Sequence, residues 1–294
     1  MRSLISAIMN KFKFYFFLFC SVIILFSCNK ADGISAIPIR DFDEQYIADM
    51  ALIEDFLNTH TYVEDDNHDF TLPAITGNEP SLMSRFSVAD DQFPQLRKKA
   101  IEIDEKIYEI YYMKVRADNP DPDAKQPSRV DGVLAAYSGS FLYYSTTTDS
   151  DPVTTSNATF FESTEYPSDF LTLDRSVRGW TEVFPFFKAG NRVVVEGEPL
   201  AYTDFGLGMV FIPSGFGYFN QAKSSSSGIV IPSYSPMVFT FKLYEVKEAD
   251  QDLDGVLSNL EDLNGNGIFT DDDTDGDGVQ NLYDADDDGD GYFT

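Results

Sequence analysis

Pro236-Met237-Val238-Phe239-Thr240-Phe241-Lys242-Leu243-Tyr244-Glu245-Val246 decides how this chain folds. Val238, Thr240, Lys242 and Tyr244 alternate with Phe239, Phe241, Leu243 and Glu245. Successive side chains of a strand point to opposite faces, so the run predicts a β-strand whose two faces differ. Upstream, Val130 to Tyr137 and Asn191 to Glu196 read as further strands, and residues 130–246 are mostly short strands broken by Gly, Pro and Ser turns. Lys188-Ala189-Gly190-Asn191 reads as a hairpin turn before Val193-Val194-Val195. Arg175 to Phe187 holds one short helix, limited in length by Pro185. An antiparallel sheet with one helix is an α+β pattern.

Further toward the N-terminus, Ile101 and Ile103 alternate with acids, Tyr108 to Val115 is β-branched and aromatic, and Asn119 to Pro127 is a Pro-rich loop. Residues 40–58 predict an amphipathic helix. Phe42, Tyr46, Ile47, Met50, Ile53, Phe56 and Leu57 recur at i, i+3, i+4 spacing, with Asp41 as the cap. Residues 59–93 are polar and turn-rich, with no readable fold. His60 and His68 lie there among acids and read as surface histidines in a loop rather than as a metal site.

The charge is uneven. The 294 residues carry 49 acids and 21 bases, a net charge of -28. Residues 250–294 hold fourteen Asp, one Glu and no Lys or Arg, so more than half of the net charge sits in that tail. Such a balance excludes nucleic acid as a partner, because a phosphate backbone is held by Lys and Arg. Two Cys rule out a disulfide framework and a Cys-rich zinc cluster.

The N-terminus reads as a processing signal. Arg2, Lys11 and Lys13 precede Phe14 to Phe26, an apolar run with only Ser21 polar. That run is too short for a bilayer core of ~30 Å, which takes about 20 helical residues, and fits a secretory signal peptide over residues 1–27. The other reading is an uncleaved anchor. Leu25-Phe26-Ser27-Cys28 resembles a bacterial lipobox, with Phe26 bulkier than is usual there. The resemblance implies a lipid anchor at Cys28 and a place in the cell envelope, on the periplasmic or surface face of what is expected to be the outer membrane. Stable attachment takes more than one acyl chain.

The tail is a run of calcium-type loops. Asp250-x-Asp252-x-Asp254-Gly255 leads twelve residues on to Glu261. Asp262-x-Asn264-x-Asn266-Gly267 leads to Asp273. Asp273-x-Asp275-x-Asp277-Gly278 leads to Asp284, and Asp286-x-Asp288-x-Asp290-Gly291 opens a fourth loop. Oxygen ligands at positions 1, 3 and 5, Gly at 6 and a carboxylate at 12 form the EF-hand loop pattern. The starts are 12, 11 and 13 residues apart, which leaves no room for flanking helices. Residues 273–284 resemble thrombospondin type 3 repeats, which implies a chain wrapped around structural calcium. A solvated acidic tail is the other reading. The fourth loop reaches its ninth position at Thr294, so it is expected to bind weakly or to belong to a repeat that continues.

Several fragments in order resemble FKBP-type peptidyl-prolyl isomerases: Val133-Leu134-Ala135-Ala136-Tyr137-Ser138-Gly139, Phe161-Glu162-Ser163-Thr164, Val177-Arg178-Gly179-Trp180, Lys188-Ala189-Gly190, Leu200-Ala201-Tyr202, Ile231-Pro232-Ser233, and Met237 to Leu243. The resemblance implies a sheet wrapped on one short helix over residues 130–249, preceded by a helical and strand region at 28–129. It also implies a pocket that needs no cofactor for catalysis. Trp180 is then the floor under a prolyl ring, with Tyr137, Phe161, Val177 and Phe239 as walls. Tyr202 donates to the substrate carbonyl, and Glu162 takes the family's acidic position, usually Asp. Thr203 stands where the family carries Gly, Ser168 falls near the place of a second pocket aromatic, and residues 207–228 read as an insertion in the flap. That insertion contains Phe211-Ile212-Pro213-Ser214, an echo of Ile231-Pro232-Ser233. The implied activity is isomerisation of Xaa-Pro bonds in polypeptide clients. The alternatives are a non-catalytic FKBP-like binding or chaperone module and a calcium-dependent surface protein.

Overall fold

In the computed structural model, which describes residues 39–293, the alternating run becomes a strand inside a seven-stranded antiparallel sheet. The strands are β1 (Gln95–Ile103), β2 (Lys106–Lys114), β3 (Gly132–Thr146), β4 (Thr154–Thr164), β5 (Leu171–Thr172), β6 (Gly206–Ile212) and β7 (Met237–Lys247). Their order is β1-β2-β6-β7-β3-β4, with β5 pairing the start of β3. The sheet therefore takes strands from both sides of residue 129. Met237 faces Phe141 across the β7–β3 ladder and Leu243 faces Ala135, after which a bulge shifts the register at Tyr244.

Both faces of the sheet are apolar, and each is covered by a helix. Val210, Ile212, Phe239, Phe241 and Leu243 pack with Trp180 and Val183 of α2 (Arg178–Val183) and with Phe184 just after it. Met209, Phe211 and Val238 pack with Leu52, Ile53, Phe56 and Leu57 of α1 (Phe42–Thr59). Each fully buried side chain of this size contributes about 1.5–3 kcal/mol, so neither face is stable uncovered. The α2 helix is shorter than the expected span. It stops at Val183 and passes into a single 3-10 turn, Phe184–Phe186, at Pro185.

Strand β6 corrects the expected flap insertion at 207–228. All seven of its residues are buried, and it lies between β2 and β7. Gly206 to Ile212 carries no polar side chain, so this strand shows no alternation of polar and apolar residues, which hides it in a sequence. Residues 188–191 likewise do not turn a hairpin: Asn191–Val193 pairs with Ala201–Thr203, so residues 194–200 form that loop.

The α1 helix begins where its cap predicts. Asp41 Oδ1 accepts from the Asp43 and Glu44 amides at 3.0 Å. After it, Val63–Glu64 pairs with Phe70–Thr71. Lys242, on the α1 side of β7, donates to Asn67 O at 2.8 Å and pairs with Asp69 at 2.7 Å, which holds this small hairpin to the sheet. His68 is paired with Glu64 in the hairpin. His60 is buried rather than on the surface, stacked on Phe56 at 3.8 Å, and burial lowers its pKa.

One buried acid ties α1 to the segment that follows β6. Asp49 is 2% exposed and accepts from Gln45 Nε2 at 2.6 Å and from the Ser214 amide at 2.7 Å. Burial raises its pKa against the opposing effect of these donors. Removing the acceptor leaves a buried amide unpaired, which costs about 1–3 kcal/mol. Asp49→Ala is expected to lower the unfolding free energy in a urea titration by about 2 kcal/mol, and Asp49→Asn, which keeps an acceptor oxygen, by about half as much.

Candidate functional site

The α2 helix begins beside the open edge of one sheet face, and a cleft of about 390 Å³ forms there. Trp180 donates its backbone N–H to Val177 O at 2.8 Å, so the indole sits in the first turn. Gly179 allows this approach: a Cβ there would lie 2.5 Å from Ile212 of β6. The indole is 4% exposed and is met edge-to-face by Tyr137 at 5.0 Å and by Phe239 at 5.2 Å. Its Nε1–H is buried without a partner.

Five of the seven residues expected at the pocket line the cleft together: Tyr137, Glu162, Val177, Trp180 and Phe239. Phe161 lies one layer behind. It is fully buried and supports Phe239 edge-to-face at 5.6 Å. Gly139 leaves room for both rings, since a Cβ there would be 2.6 Å from each. Leu171 adds an aliphatic wall to the cleft, and Ser168 belongs to a different cleft.

Tyr202 is not brought to this cleft. Its ring stacks on Tyr244 at 4.6 Å, and its hydroxyl donates to Glu245 Oε1 at 2.6 Å in a second cleft of about 610 Å³. Burial and the hydrogen bond to Glu245 push its phenol up to about 12. The tyrosine that faces Trp180's cleft, together with Tyr137 and Glu162, is Tyr218, four residues after the Ile212-Pro213-Ser214 echo. That echo was the available signal. The segment leaves β6 through a 3-10 turn at Ser214–Phe216, which Asp49 fixes from the α1 side.

Burial raises the phenol pKa values of Tyr137 and Tyr218, with the Glu162 charge adding to both. Both hydroxyls therefore stay protonated and can donate at neutral pH. Tyr137 directs its own toward Glu162 Oε1 at 3.5 Å, and among the described residues no hydrogen bond engages the Tyr218 hydroxyl. Arg175, Arg178 and Lys223 stand on the rim. Arg178 reaches the buried Glu182 at 3.5 Å, and Glu182 also holds Arg129 at 2.8 Å. Ser227 donates to Phe161 O, and Lys223–Ser224 pairs with Val230–Ile231, which closes the loop over this end of the cleft.

The tail lies against the body. Ala249 donates its amide to Asp131 Oδ1 at 3.0 Å and Gln251 Nε2 donates to Val130 O at 3.1 Å. Arg129 donates to Gly267 O at 2.7 Å, and Tyr283 donates its hydroxyl to Asp174 Oδ2 at 2.8 Å. Its expected ligands gather unevenly. Asp273, Asp275 and Asp277 converge, as do Asp286, Asp288 and Asp290. Asp252, Asp254 and Glu261 converge with Asp287, which the loop spacing does not assign. Asp250, Asp262, Asn264 and Asp284 stand outside these three clusters and accept backbone amides of their own turns, and Asn266 Nδ2 donates to Asp271 Oδ2 at 2.8 Å. Burial, then the charges of neighbouring acids, pushes Glu261 up to about 7 and Asp287 up to about 6. Carboxylates crowded and dried in this way suit a hard divalent cation such as calcium. The expected leader at 1–27 and the expected lipidation of Cys28 fall outside the described residues.

The family described as BamM C-terminal matches residues 251–294. No curated protein matches the chain. Among solved structures, the chain is similar to the three FKBP domains of wheat FKBP73, with 15% identity and a TM-score of 0.33, over 51% of this chain and 50% of that one. It is similar to the N-terminal domain of FKBP42 from Arabidopsis thaliana, with 14% identity and a TM-score of 0.31, over 54% of this chain and 99% of that one. It is also similar to a multi-domain immunophilin from Arabidopsis thaliana, with 15% identity and a TM-score of 0.30, over 53% of this chain and 48% of that one. The chain thus spans about half the length of the first and third of these.

Proposed function

We propose that this protein is a peptidyl-prolyl cis-trans isomerase acting on Pro-containing polypeptides in the cell envelope. The observation that carries the reading is the cleft floored by Trp180 and walled by Tyr137, Val177 and Phe239. The order of sequence fragments shared with FKBP-type isomerases supports the same reading.

The chemistry asks for little more than this shape. Rotation about an Xaa-Pro bond crosses a barrier of ~18–20 kcal/mol, because the C–N bond has partial double-bond character. The twisted amide has lost that resonance and its charge separation, so an apolar cleft favours it over the planar ground state. The prolyl ring rests on Trp180. Tyr218 takes the role expected of Tyr202 and donates to the carbonyl of the bound segment, and Glu162 orients Tyr137. No nucleophile, acid–base pair or cofactor is required.

A second reading is that the cleft holds Pro-containing segments without turning them over. Ser168, which falls near the family's place for a second pocket aromatic, lies in a different cleft, and this favours it. Export through residues 1–27, a lipid tether at Cys28 and calcium in the tail belong to the same proposal. The leader sequence supports the first two, and the converging carboxylates support the third.

Catalysis and binding separate in one assay. The purified chain is expected to accelerate cis-to-trans exchange of a Pro-containing tetrapeptide above the buffer rate. A peptide that binds without acceleration would favour the second reading. Tyr218→Phe is expected to lower the catalysed rate about tenfold, the loss of one hydrogen bond worth about 1.4 kcal/mol, while Tyr202→Phe leaves it unchanged. The opposite pattern would return the donor role to Tyr202.

A further inference from the structure

The four carboxylates Asp252, Asp254, Glu261 and Asp287 come from opposite ends of the tail. Each offers one oxygen, and these oxygens all lie within 4.8 Å of one another. Calcium–oxygen bonds are about 2.3–2.6 Å, so oxygens on opposite sides of one ion stand about 5 Å apart. The cluster therefore has the span of a single coordination shell.

A second observation points to a ligand. Glu261 is 2% exposed, and neither of its carboxylate oxygens has a hydrogen-bond partner. Asp252 Oδ2, Asp254 Oδ2 and Asp287 Oδ1 are buried and unpartnered in the same way, and so is Asn259 Oδ1 on the same loop. Buried carboxylates are normally paired, hydrogen-bonded or bound to metal. Pairing is not available from within the tail, which has no Lys or Arg. Arg129, which reaches the tail, is committed to Gly267 O and Glu182. The neighbours of Asp287 are directed elsewhere, because Asp286 and Asp288 converge with Asp290.

We propose that Asp252, Asp254, Glu261 and Asp287 form one calcium site that joins the first loop of the tail to the last. The proposal rests on the calcium reading of the tail and adds a ligand and a connection that no single loop contains. Ligands made only of oxygen select a hard ion, and irregular loops suit calcium over the more rigidly octahedral magnesium. The ion acts as a clip. It closes a long loop much as a disulfide would, and so restricts the open tail. The clipped tail is held to the body at its start by Ala249 and Gln251 and near its end by Tyr283.

Calorimetric titration of the full-length chain with calcium chloride tests this, alongside limited proteolysis in saturating calcium. The unmodified chain is expected to bind calcium and to resist cleavage within residues 262–285. Asp287→Asn and Glu261→Gln are each expected to weaken one site at least tenfold and to expose that stretch to protease. Emission from Trp180, the sole tryptophan, checks that the body of each variant stays folded. Asp277→Asn, in a separate cluster, is expected to leave the Asp287-dependent site in place. If folded Asp287→Asn titrates like the unmodified chain, the joining site is wrong and the calcium loops stand. If the unmodified chain binds no calcium at millimolar concentration, both are wrong.

Discussion

The sheet is apolar on both faces, and the rest of the structure follows from covering them. Phe239 and Phe241 point one way from β7 and Val238 the other, while every residue of β6 is buried. Leaving either face wet would forgo several buried side chains at about 1.5–3 kcal/mol each. The α1 helix covers one face with Leu52, Ile53, Phe56 and Leu57. The α2 helix is only six residues long and seals the other face incompletely. The cleft is the part of that face that α2 does not cover, with Trp180 as its floor. Site and core are thus one continuous aromatic cluster, from Phe184 and Phe241 through Trp180 to Phe239 and Tyr137.

The parts of the fold that were legible in the sequence are those whose pattern keeps polar residues: β7 is buried on both faces over Met237 to Leu243, yet Thr240 and Lys242 mark one of them. β7 alternates, α1 carries a stripe and a cap, and Val177-Arg178-Gly179-Trp180 marks the start of α2. β6 escaped because Gly206 to Ile212 carries no polar side chain. That single omission moved the flap and carried the tyrosine assignment with it. Leu200-Ala201-Tyr202 fits the family fragment, yet it lies on a short hairpin against Tyr244 and Glu245. Tyr218 is positioned by tertiary packing: Asp49 fixes Ser214 from the far side of the sheet, and the chain then descends into the cleft. The fixing residue and the tyrosine are too far apart in sequence for local spacing to reveal this.

The tail shows the same limit in another form. Counting positions 1, 3, 5 and 12 of each loop finds Asp252, Asp254 and Glu261 but passes over Asp287, whose place is set by how the last loop folds back on the first. The net charge of -28 is similarly local. More than half of it lies in residues 250–294, where ten of the acids fall into three clusters. Around the cleft the balance reverses, with Arg175, Arg178 and Lys223 on the rim and Glu162 within.

The central claim is that an apolar cleft floored by Trp180 lowers the barrier to rotation about an Xaa-Pro bond. Exchange spectroscopy on a Pro-containing tetrapeptide measures this at equilibrium, without a coupled protease. The account predicts cis–trans exchange at substoichiometric protein well above the uncatalysed rate, which corresponds to tens to hundreds of seconds. Exchange at the buffer rate, from protein whose Trp180 emission shows the fold intact, would contradict it.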